Sequence, residues 1–206
     1  MKNQNQIFDL FISPDENRAD LRKPFRQGNY IFASDGHVII RVAITAVDNP
    51  EQYGLAKVDA MPLFHHSDNC NFNYTKARMD KALKKVPVDM DCPECSGCGD
   101  VTYKYFSRQG DTFKHDFHCP VCGGEGTIDT SDYYITQIGT AFFKMHILEV
   151  LRDTARLMGL TSITKVHDSK TIINIFYFSS DVLVGAMPMF MDDKTKHDLG
   201  DAFIEF

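Results

Sequence analysis

The hydrophobic residues of this chain fall mostly into short alternating runs, the pattern of β-strands. An apolar run at residues 7–12 predicts a first strand. In residues 30–44, two apolar runs flank Asp35 and Gly36, which predicts a β-hairpin closed by a type I′ turn. Further strands are predicted at residues 133–143, 162–166, 171–178 and 182–189.

Two segments instead show the 3.6-residue period of amphipathic helices. The first, residues 75–86, is ended by Pro87. Its apolar face consists of Met79, Ala82, Leu83 and Val86. The second spans residues 145–158, with Gly159 as its C-terminal cap. This order of elements predicts an α+β fold with helices packed on an antiparallel sheet.

Five of the six cysteines lie between residues 92 and 122, in two copies of the pattern C-P-x-C-x-G-x-G. The copies occupy residues 92–99 and 119–126. Two cysteines three residues apart on a tight turn direct both sulfurs at one ion, and the glycines allow the positive φ angles that the turn needs. One tetrahedral, structural zinc ion is therefore predicted. Its ligands are Cys92, Cys95, Cys119 and Cys122.

Three other interpretations of the cysteines remain open. Disulfides suit secreted proteins, but the polar N-terminus has no export signal. An iron–sulfur cluster is the second alternative, because Cys98 extends the first copy to C-x2-C-x2-C and would then be an extra ligand. A catalytic zinc ion needs an open position, which four cysteines would fill. The glycine pattern shared by both copies favours structural zinc.

The segment between the cysteine copies predicts a β-hairpin, because two aromatic-rich alternating runs flank Gly110. Residues 91–126 are therefore predicted to form a zinc ribbon. It would be inserted into an α+β body made of residues 1–90 and 127–206. The ribbon has six acidic and three basic side chains, so we expect it to contact a protein partner and not nucleic acid.

The two cysteine copies resemble the cysteine-rich region of DnaJ-type co-chaperones, which carries C-x-x-C-x-G-x-G repeats. DnaJ proteins have four copies and a His-Pro-Asp signature, whereas this chain has two copies and no such signature. The resemblance therefore implies a similar metal-binding turn and not a similar function. His115 and His118 are interpreted as hairpin residues, with substitute metal ligation as the alternative.

Composition and charge narrow the class of protein. With 43% hydrophobic and 24% charged residues, the 206-residue chain is not disordered, collagen-like or a coiled coil. No apolar run approaches the roughly 20 residues of a membrane helix, and without an export signal we expect a cytoplasmic protein. The net charge is −6, so any nucleic acid would be bound by a local basic surface.

Two groups of cations are candidates for such a surface. The first lies on the predicted helix at residues 75–86 and consists of Arg78, Lys81, Lys84 and Lys85. The second consists of Arg22, Lys23 and Arg26. A solvated lysine face is the simpler interpretation of the helix, and a stripe that contacts phosphates is the alternative.

Two stretches resemble bacterial DNA polymerase sliding clamps. Residues 30–37, Tyr-Ile-Phe-Ala-Ser-Asp-Gly-His, are similar to the "ATDGHR" hairpin of that family, and residues 182–188 end in Met-Pro as clamp domains do. The resemblance implies a DNA-clamp-like domain, with two helices on a curved antiparallel sheet and the basic helix facing double-stranded DNA. Val38 stands where the family has arginine. Clamps string together three domains and this chain has room for one, so ring closure would need a homo-oligomer.

Three functional hypotheses follow. The first is a non-enzymatic clamp-like module acting in DNA transactions, and the second is a protein-interaction or assembly module with structural zinc and no nucleic acid. The third is an enzyme. Its candidate groups would be Asp35 with His37, or His65 and His66 with Asp68. Because no catalytic motif accompanies these groups, we expect a protein that is not an enzyme.

Overall fold

The computed structural model describes residues 2–15, 17–56, 58–66, 68–87, 89–191, 203–204 and 206. The chain divides into two compact units. Unit 1 comprises Met1–Lys85 and Ile135–Phe206, and unit 2 comprises Val86–Tyr134.

The described residues form strands and helices in both units. In chain order the strands are β1 (Phe25–Gln27), β2 (Tyr30–Ser34), β3 (Val38–Ala43), β4 (Gly54–Leu55), β5 (Phe72–Thr75), β6 (Asp89–Asp91), β7 (Asp100–Phe106), β8 (Thr112–His118), β9 (Thr127–Asp129), β10 (Ile135–Ile138), β11 (Ala141–Lys144), β12 (Ser162–His167), β13 (Asn174–Ser179), β14 (Val182–Ala186) and β15 (Phe203–Ile204). The helices are α1 (Gln4–Asp9), α2 (Lys76–Leu83), α3 (Thr130–Tyr133) and α4 (Met145–Leu157). None of the described helices has the length and apolar character needed to cross a membrane.

Unit 1 is built on an eight-stranded sheet in the order β4-β1-β2-β3-β14-β13-β12-β5. Neighbouring strands are antiparallel, except that β1 and β4 run parallel. The pairing of β3 with β14 joins the N-terminal and C-terminal halves of the sheet, with Ile40 opposite Val184. A second sheet in this unit has the order β11-β10-β15.

The central strands of the eight-stranded sheet are buried on both faces. On β2, Ile31 and Phe32 point to opposite sides, and both are fully buried. Phe32 belongs to a core cluster with Phe25, Ile39 and Phe64, and the rings of Phe25 and Phe32 stack 5.6 Å apart. Burial on both faces explains the nearly continuous apolar sequence of β2 and β3.

Helix α1 corrects the sequence prediction, because the apolar run at residues 7–12 was expected to be a strand. Ile7, Phe8 and Phe11 are all buried. Their spacing of one and then three residues places them on one helical face, and a strand would send Ile7 and Phe8 to opposite faces. A run of six residues is too short to distinguish the helical period of 3.6 residues from the strand period of two. Tertiary packing therefore decides which structure forms.

The two predicted helices are present as α2 and α4, but α2 ends at Leu83 and not at residue 86, so Lys84, Lys85 and Val86 follow it. Thr75 caps α2, since its side chain accepts a hydrogen bond from the Arg78 backbone N–H. Beyond α4, Leu160 donates to the Ala155 carbonyl at 2.8 Å and Gly159 donates to Arg156 at 3.1 Å. This is the double hydrogen bond of a Schellman motif, and Gly159 has the required positive φ of 72°.

Two turns differ from the sequence prediction. Residues 133–143 were expected to be one strand but contain β10, a turn and β11, because Gly139 has a φ of 70° and reverses the chain. A Cβ at Gly139 would lie 2.7 Å from an oxygen of Asp168, which also accepts the Thr140 N–H at 2.9 Å. In the β2–β3 loop only Gly36 has a positive φ. A type I′ turn needs two such residues, so that interpretation is wrong.

Lys165 on β12 is a cation with no exposed surface. Its Nζ donates to the Ile138 carbonyl and to Asp168 Oδ1, both at 2.6 Å. The ammonium also lies 5.4 Å from the ring centre of Phe143 and 5.7 Å from that of Phe176. Burial lowers the pKa of Lys165, and Asp168 partly opposes this effect. The pair links β12 to the β10–β11 hairpin.

Unit 2 consists of a short stem, two cysteine turns and a hairpin. Strands β6 and β9 form the stem, with Asp91 opposite Thr127. Strands β7 and β8 form the predicted hairpin, from Asp100 opposite His118 to Phe106 opposite Thr112. The buried cluster of this unit contains three cysteines, packed only against Val101, Cys122 and Ile128. Unit 2 therefore has almost no apolar core.

Candidate metal centre and basic surfaces

Four cysteine sulfurs meet at the centre of unit 2. The Sγ atoms of Cys92, Cys95, Cys119 and Cys122 all lie within 4.8 Å of one another. Cys92 Sγ is 3.7 Å from Cys119 Sγ, and Cys95 Sγ is 3.8 Å from Cys122 Sγ. A disulfide would bring two sulfurs to about 2.05 Å. The four sulfurs are separate thiols arranged so that one metal ion could be bound between them.

The two cysteine turns are related by an approximate two-fold symmetry. Cys92 N donates to the Gly126 carbonyl at 2.7 Å, and Cys119 N donates to the Gly99 carbonyl at 2.8 Å. A Cβ at Gly99 would lie 2.4 Å from the Gly124 oxygen, and one at Gly126 would lie 2.4 Å from the Gly97 oxygen. The second glycine of each pattern is thus required because the other turn passes directly against it.

Backbone donors point at one sulfur of each turn. Gly99 N donates to Cys95 Sγ and Gly126 N donates to Cys122 Sγ, each at 3.2 Å. Burial raises the pKa of the Cys92 thiol to about 11. Burial acts in the same direction on Cys122, but N–H groups of Gly126 and Gly124 outweigh it and lower that pKa to about 7. Metal binding would therefore displace protons from this site.

The other candidate ligands of the ribbon lie outside the sulfur cluster. Cys98 is exposed, and its thiol donates to the Asp100 carbonyl at 3.0 Å. His118 Nδ1 is 3.1 Å from Asp100 Oδ1, and His115 Nδ1 is 2.9 Å from the Asp116 carbonyl. Among the residues that the structure describes, only the four cysteines bring three or more candidate ligands together.

The four cations predicted on α2 differ in their surroundings. Met79 and Ala82 bury the inner face of the helix, and Lys81, Lys84 and Lys85 are exposed. Arg78 is also exposed, but its Nη2 donates to the Phe206 carbonyl at 2.8 Å. The exposed stripe therefore has Arg78 and Lys81 on α2, with Lys84 and Lys85 directly after its last residue.

The second group of cations lies at the other end of the sheet. Arg22 and Lys23 are exposed in the segment before β1, and Arg26 pairs with Glu51 at 2.7 Å. Strand β5, which leads into α2, is six strand spacings from β1 in the sheet order. At about 4.8 Å per strand this is roughly 29 Å. The predicted cations thus form two separate surfaces.

Two of the groups considered for catalysis, Asp35 and His66, make contacts within the chain. The Asp35 carboxylate accepts the N–H groups of His37 and Val38 at 2.7 and 2.9 Å, closing its own turn. Burial raises the pKa of Asp35, but hydrogen bonds from His146 and the backbone outweigh it, so the net shift is downward. The His66 ring stacks on His167 with centroids 4.8 Å apart.

Cys70 lies outside the metal centre. Its Sγ donates to the Lys165 carbonyl at 3.2 Å. Two contacts of unit 1 were not predicted from the sequence. They are the ion pair of Lys165 with Asp168 and the hydrogen bond from Arg78 to the Phe206 carbonyl. Strand alternation was the one available signal for Lys165, because it places this residue on the same face as the buried Ile163.

Comparison with known proteins identifies structural neighbours only. No protein-family model matches the sequence, and no curated protein matches it. The beta sliding clamp of C. crescentus is 11% identical with a TM-score of 0.50, and the match covers 92% of this chain and 64% of the clamp chain. The DNA polymerase III beta subunit of Thermotoga maritima is 10% identical with a TM-score of 0.49, covering 93% and 65%. This chain spans less than two thirds of the length of either clamp.

This likeness concerns the fold. The chain is a mixed α+β protein with three helices on a large antiparallel sheet, and it resembles the sliding-clamp fold. The predicted fold class is therefore confirmed, with α1 as a helix that the sequence did not predict.

Proposed function

We propose that this chain is a non-enzymatic, clamp-like module that acts on double-stranded DNA, with a structural zinc ion in unit 2. The observation that carries the DNA part is the exposed stripe of Lys81 on α2 with Lys84 and Lys85 directly after it, opposite the buried Met79. Lysines on one helical face can contact successive phosphates without any base recognition. The C. crescentus neighbour, a sliding clamp, lends the proposal a structural precedent.

The proposed metal is zinc because of the donor set and its spacing. A tetrahedral ion with Zn–S bonds of about 2.3 Å places its sulfurs about 3.8 Å apart. The sulfur pairs of 3.7 and 3.8 Å fit this value. A polynuclear iron–sulfur cluster binds its thiolates to different iron atoms and needs a wider set of sulfurs. Four thiolates fill the coordination sphere, which suits a structural ion and not a catalytic one.

Charge reversal on α2 tests DNA binding. Replacing Lys81, Lys84 and Lys85 with glutamate is expected to weaken binding of a mixed-sequence duplex by about a hundredfold at low salt, since three phosphate contacts become repulsive. Fluorescence anisotropy over a salt series measures both the affinity and its salt dependence. Wild-type binding should fall with salt by roughly 0.9 log units per contact for each tenfold rise.

The matched control is a second triple variant that changes the net charge by the same amount at other positions. Lys2, Lys104 and Lys170 are exposed and lie outside α2, so their replacement with glutamate should leave most of the affinity intact. Equal losses in both triple variants would mean that only the global charge matters. Unchanged affinity in the α2 variant would refute the proposed DNA surface.

A second candidate, a protein-interaction module, is favoured by the β7–β8 hairpin. One face of this hairpin carries Tyr103, Tyr105, Phe113 and Phe117, which are 45 to 57% exposed. The rings of Tyr105 and Phe113 stack at 5.3 Å. Exposed Tyr and Phe side chains are enriched in protein interfaces, and their contiguous apolar surface suits a protein partner.

Substitutions on the two faces of the hairpin test this candidate. Replacing Tyr105 and Phe113 with serine should abolish the capture of an identified partner and leave the zinc content at one ion per chain. Phe106 is 74% exposed on the opposite face, so Phe106→Ser is the aromatic control and should retain the partner. Loss of the partner in the control as well would argue against recognition by the aromatic face.

A further inference from the structure

Phe203, Ile204 and Phe206 contact unit 1 beside α2. Strand β15 adds to β10 in parallel, with Phe203 opposite Ile135 and Ile204 opposite Thr136. The Ile204 side chain is 7% exposed, and its carbonyl accepts the buried Thr136 hydroxyl at 2.8 Å. An extended segment is thus bound by strand addition, a mode that proteins also use for separate peptides.

Phe206 completes this contact at α2. Its ring lies 5.2 Å from the ring of Tyr74, and the Arg78 guanidinium lies 4.8 Å from its centre. Arg78 also donates to the Phe206 carbonyl at 2.8 Å. The guanidinium is therefore held between a carbonyl and an aromatic face, which is a favourable position for arginine.

The docked segment and a phosphate would compete for the same guanidinium. Arg78 lies three residues before Lys81 and seven before Lys85, so these cations share one face of α2. While its Nη2 is bound to Phe206, Arg78 does not complete that face.

The docking contact is also of a kind that can be released. Among the described residues, the pairing with β10 is made by Phe203 and Ile204. An open cavity of about 810 Å³ lies beside it, lined by Phe203, Phe206, Asn71, Gln137 and other residues. The segment is therefore incompletely enclosed.

We propose that Phe203, Ile204 and Phe206 form a releasable latch that withholds Arg78 from DNA, so that DNA and these docked residues exclude one another beside α2. This inference rests on the proposed function, since it concerns regulation of the same surface. Linkage makes the competition reciprocal. Release of the segment strengthens DNA binding, and bound DNA favours release.

The test compares full-length variants by fluorescence anisotropy with duplex DNA. Phe206→Ala removes the ring that holds Arg78, and it should strengthen DNA binding by about threefold to tenfold and steepen the salt slope by about 0.9, the value of one phosphate contact. The gain should disappear when Arg78→Ala is added. Phe190→Ala is the aromatic control, because Phe190 is 84% exposed and does not line the cavity beside β15. An unchanged affinity and slope in Phe206→Ala, or a gain that survives without Arg78, would overturn the latch.

A second measurement separates the latch from DNA binding itself. A labelled peptide with the sequence of residues 201–206, Asp-Ala-Phe-Ile-Glu-Phe, should bind a chain in which Phe203, Ile204 and Phe206 are all replaced with alanine, and a peptide with both phenylalanines replaced by alanine should not. Failure of the first peptide to bind would overturn the docking site. If the peptide binds but no variant retains DNA at low salt, the proposed DNA function fails, and the inhibitory role fails with it. If all variants bind DNA equally, only the latch is refuted.

Discussion

Replacing Cys92 with serine is expected to reduce the zinc content from one ion per chain to near zero and to unfold residues 86–134. The reason is the composition of the buried cluster, which consists of cysteines with only Val101 and Ile128 as further apolar contacts. Structural zinc contributes on the order of 10 kcal/mol to the folding of small metal domains. Nothing else in this cluster approaches that value.

Metal analysis combined with hydrogen exchange checks this result. Amides of β7 and β8 should lose their protection in Cys92→Ser, and a chelator should have the same effect on the wild type. Cys98→Ser is the matched control, since this thiol is exposed and lies outside the sulfur cluster. Retention of a full zinc equivalent by Cys92→Ser would contradict the assignment, and iron in the wild type would identify a different metal centre.

The second large effect is expected from Asp168→Ala, which should lower the free energy of unfolding of unit 1 by about 3 to 5 kcal/mol. The substitution leaves the Lys165 ammonium buried without its carboxylate partner at 2.6 Å. The Thr140 N–H also loses its acceptor. Urea denaturation at neutral pH measures the change, and Asp181→Ala, at an exposed turn, should change stability little.

The loss in Asp168→Ala should depend on pH in a defined direction. Burial already lowers the pKa of Lys165, and Asp168 is the group that raises it. Without Asp168 the folded chain therefore gives up this proton at a lower pH than the unfolded chain, whose lysines titrate near 10.4. The unfolded state then binds more protons, so stability rises with pH and the deficit is smaller at about pH 9.5 than at about pH 6.

A double variant identifies the cause of this destabilisation. Replacing Lys165 with methionine together with Asp168→Ala removes the buried charge and should recover part of the stability. A deficit in the single variant no larger than that of Asp181→Ala, or no recovery in the double variant, would show that the pair contributes little to unit 1.

The sequence predicted best those features in which residue type and spacing act locally. The two cysteine patterns specify their own turns, because Gly99 and Gly126 are required where the turns approach each other. The β2–β3 hairpin and α4 were also predicted, since Asp35 with Gly36 and Gly159 end or reverse the chain through local backbone conformation.

The features that could not be predicted from the sequence are those that depend on residues far apart in the chain. The apolar run at residues 7–12 fits either period, and α1 is selected by what packs around Ile7 and Phe8. The contact of Arg78 with Phe206 joins residues 128 positions apart. Charge and spacing along α2 made Arg78 a candidate for phosphate contact, but no local pattern predicts a strand that adds to β10 from so far along the chain.

The stem formed by β6 and β9 has a consequence for the path of the chain through unit 2. Asp91 and Thr127 are directly opposed, and paired residues of antiparallel strands lie only about 5 Å apart. The backbone therefore returns from the metal-binding segment almost to its point of departure. A plain two-residue turn could bridge the same gap, so shortening or lengthening residues 92–126 need not change the register in which β6 and β9 pair.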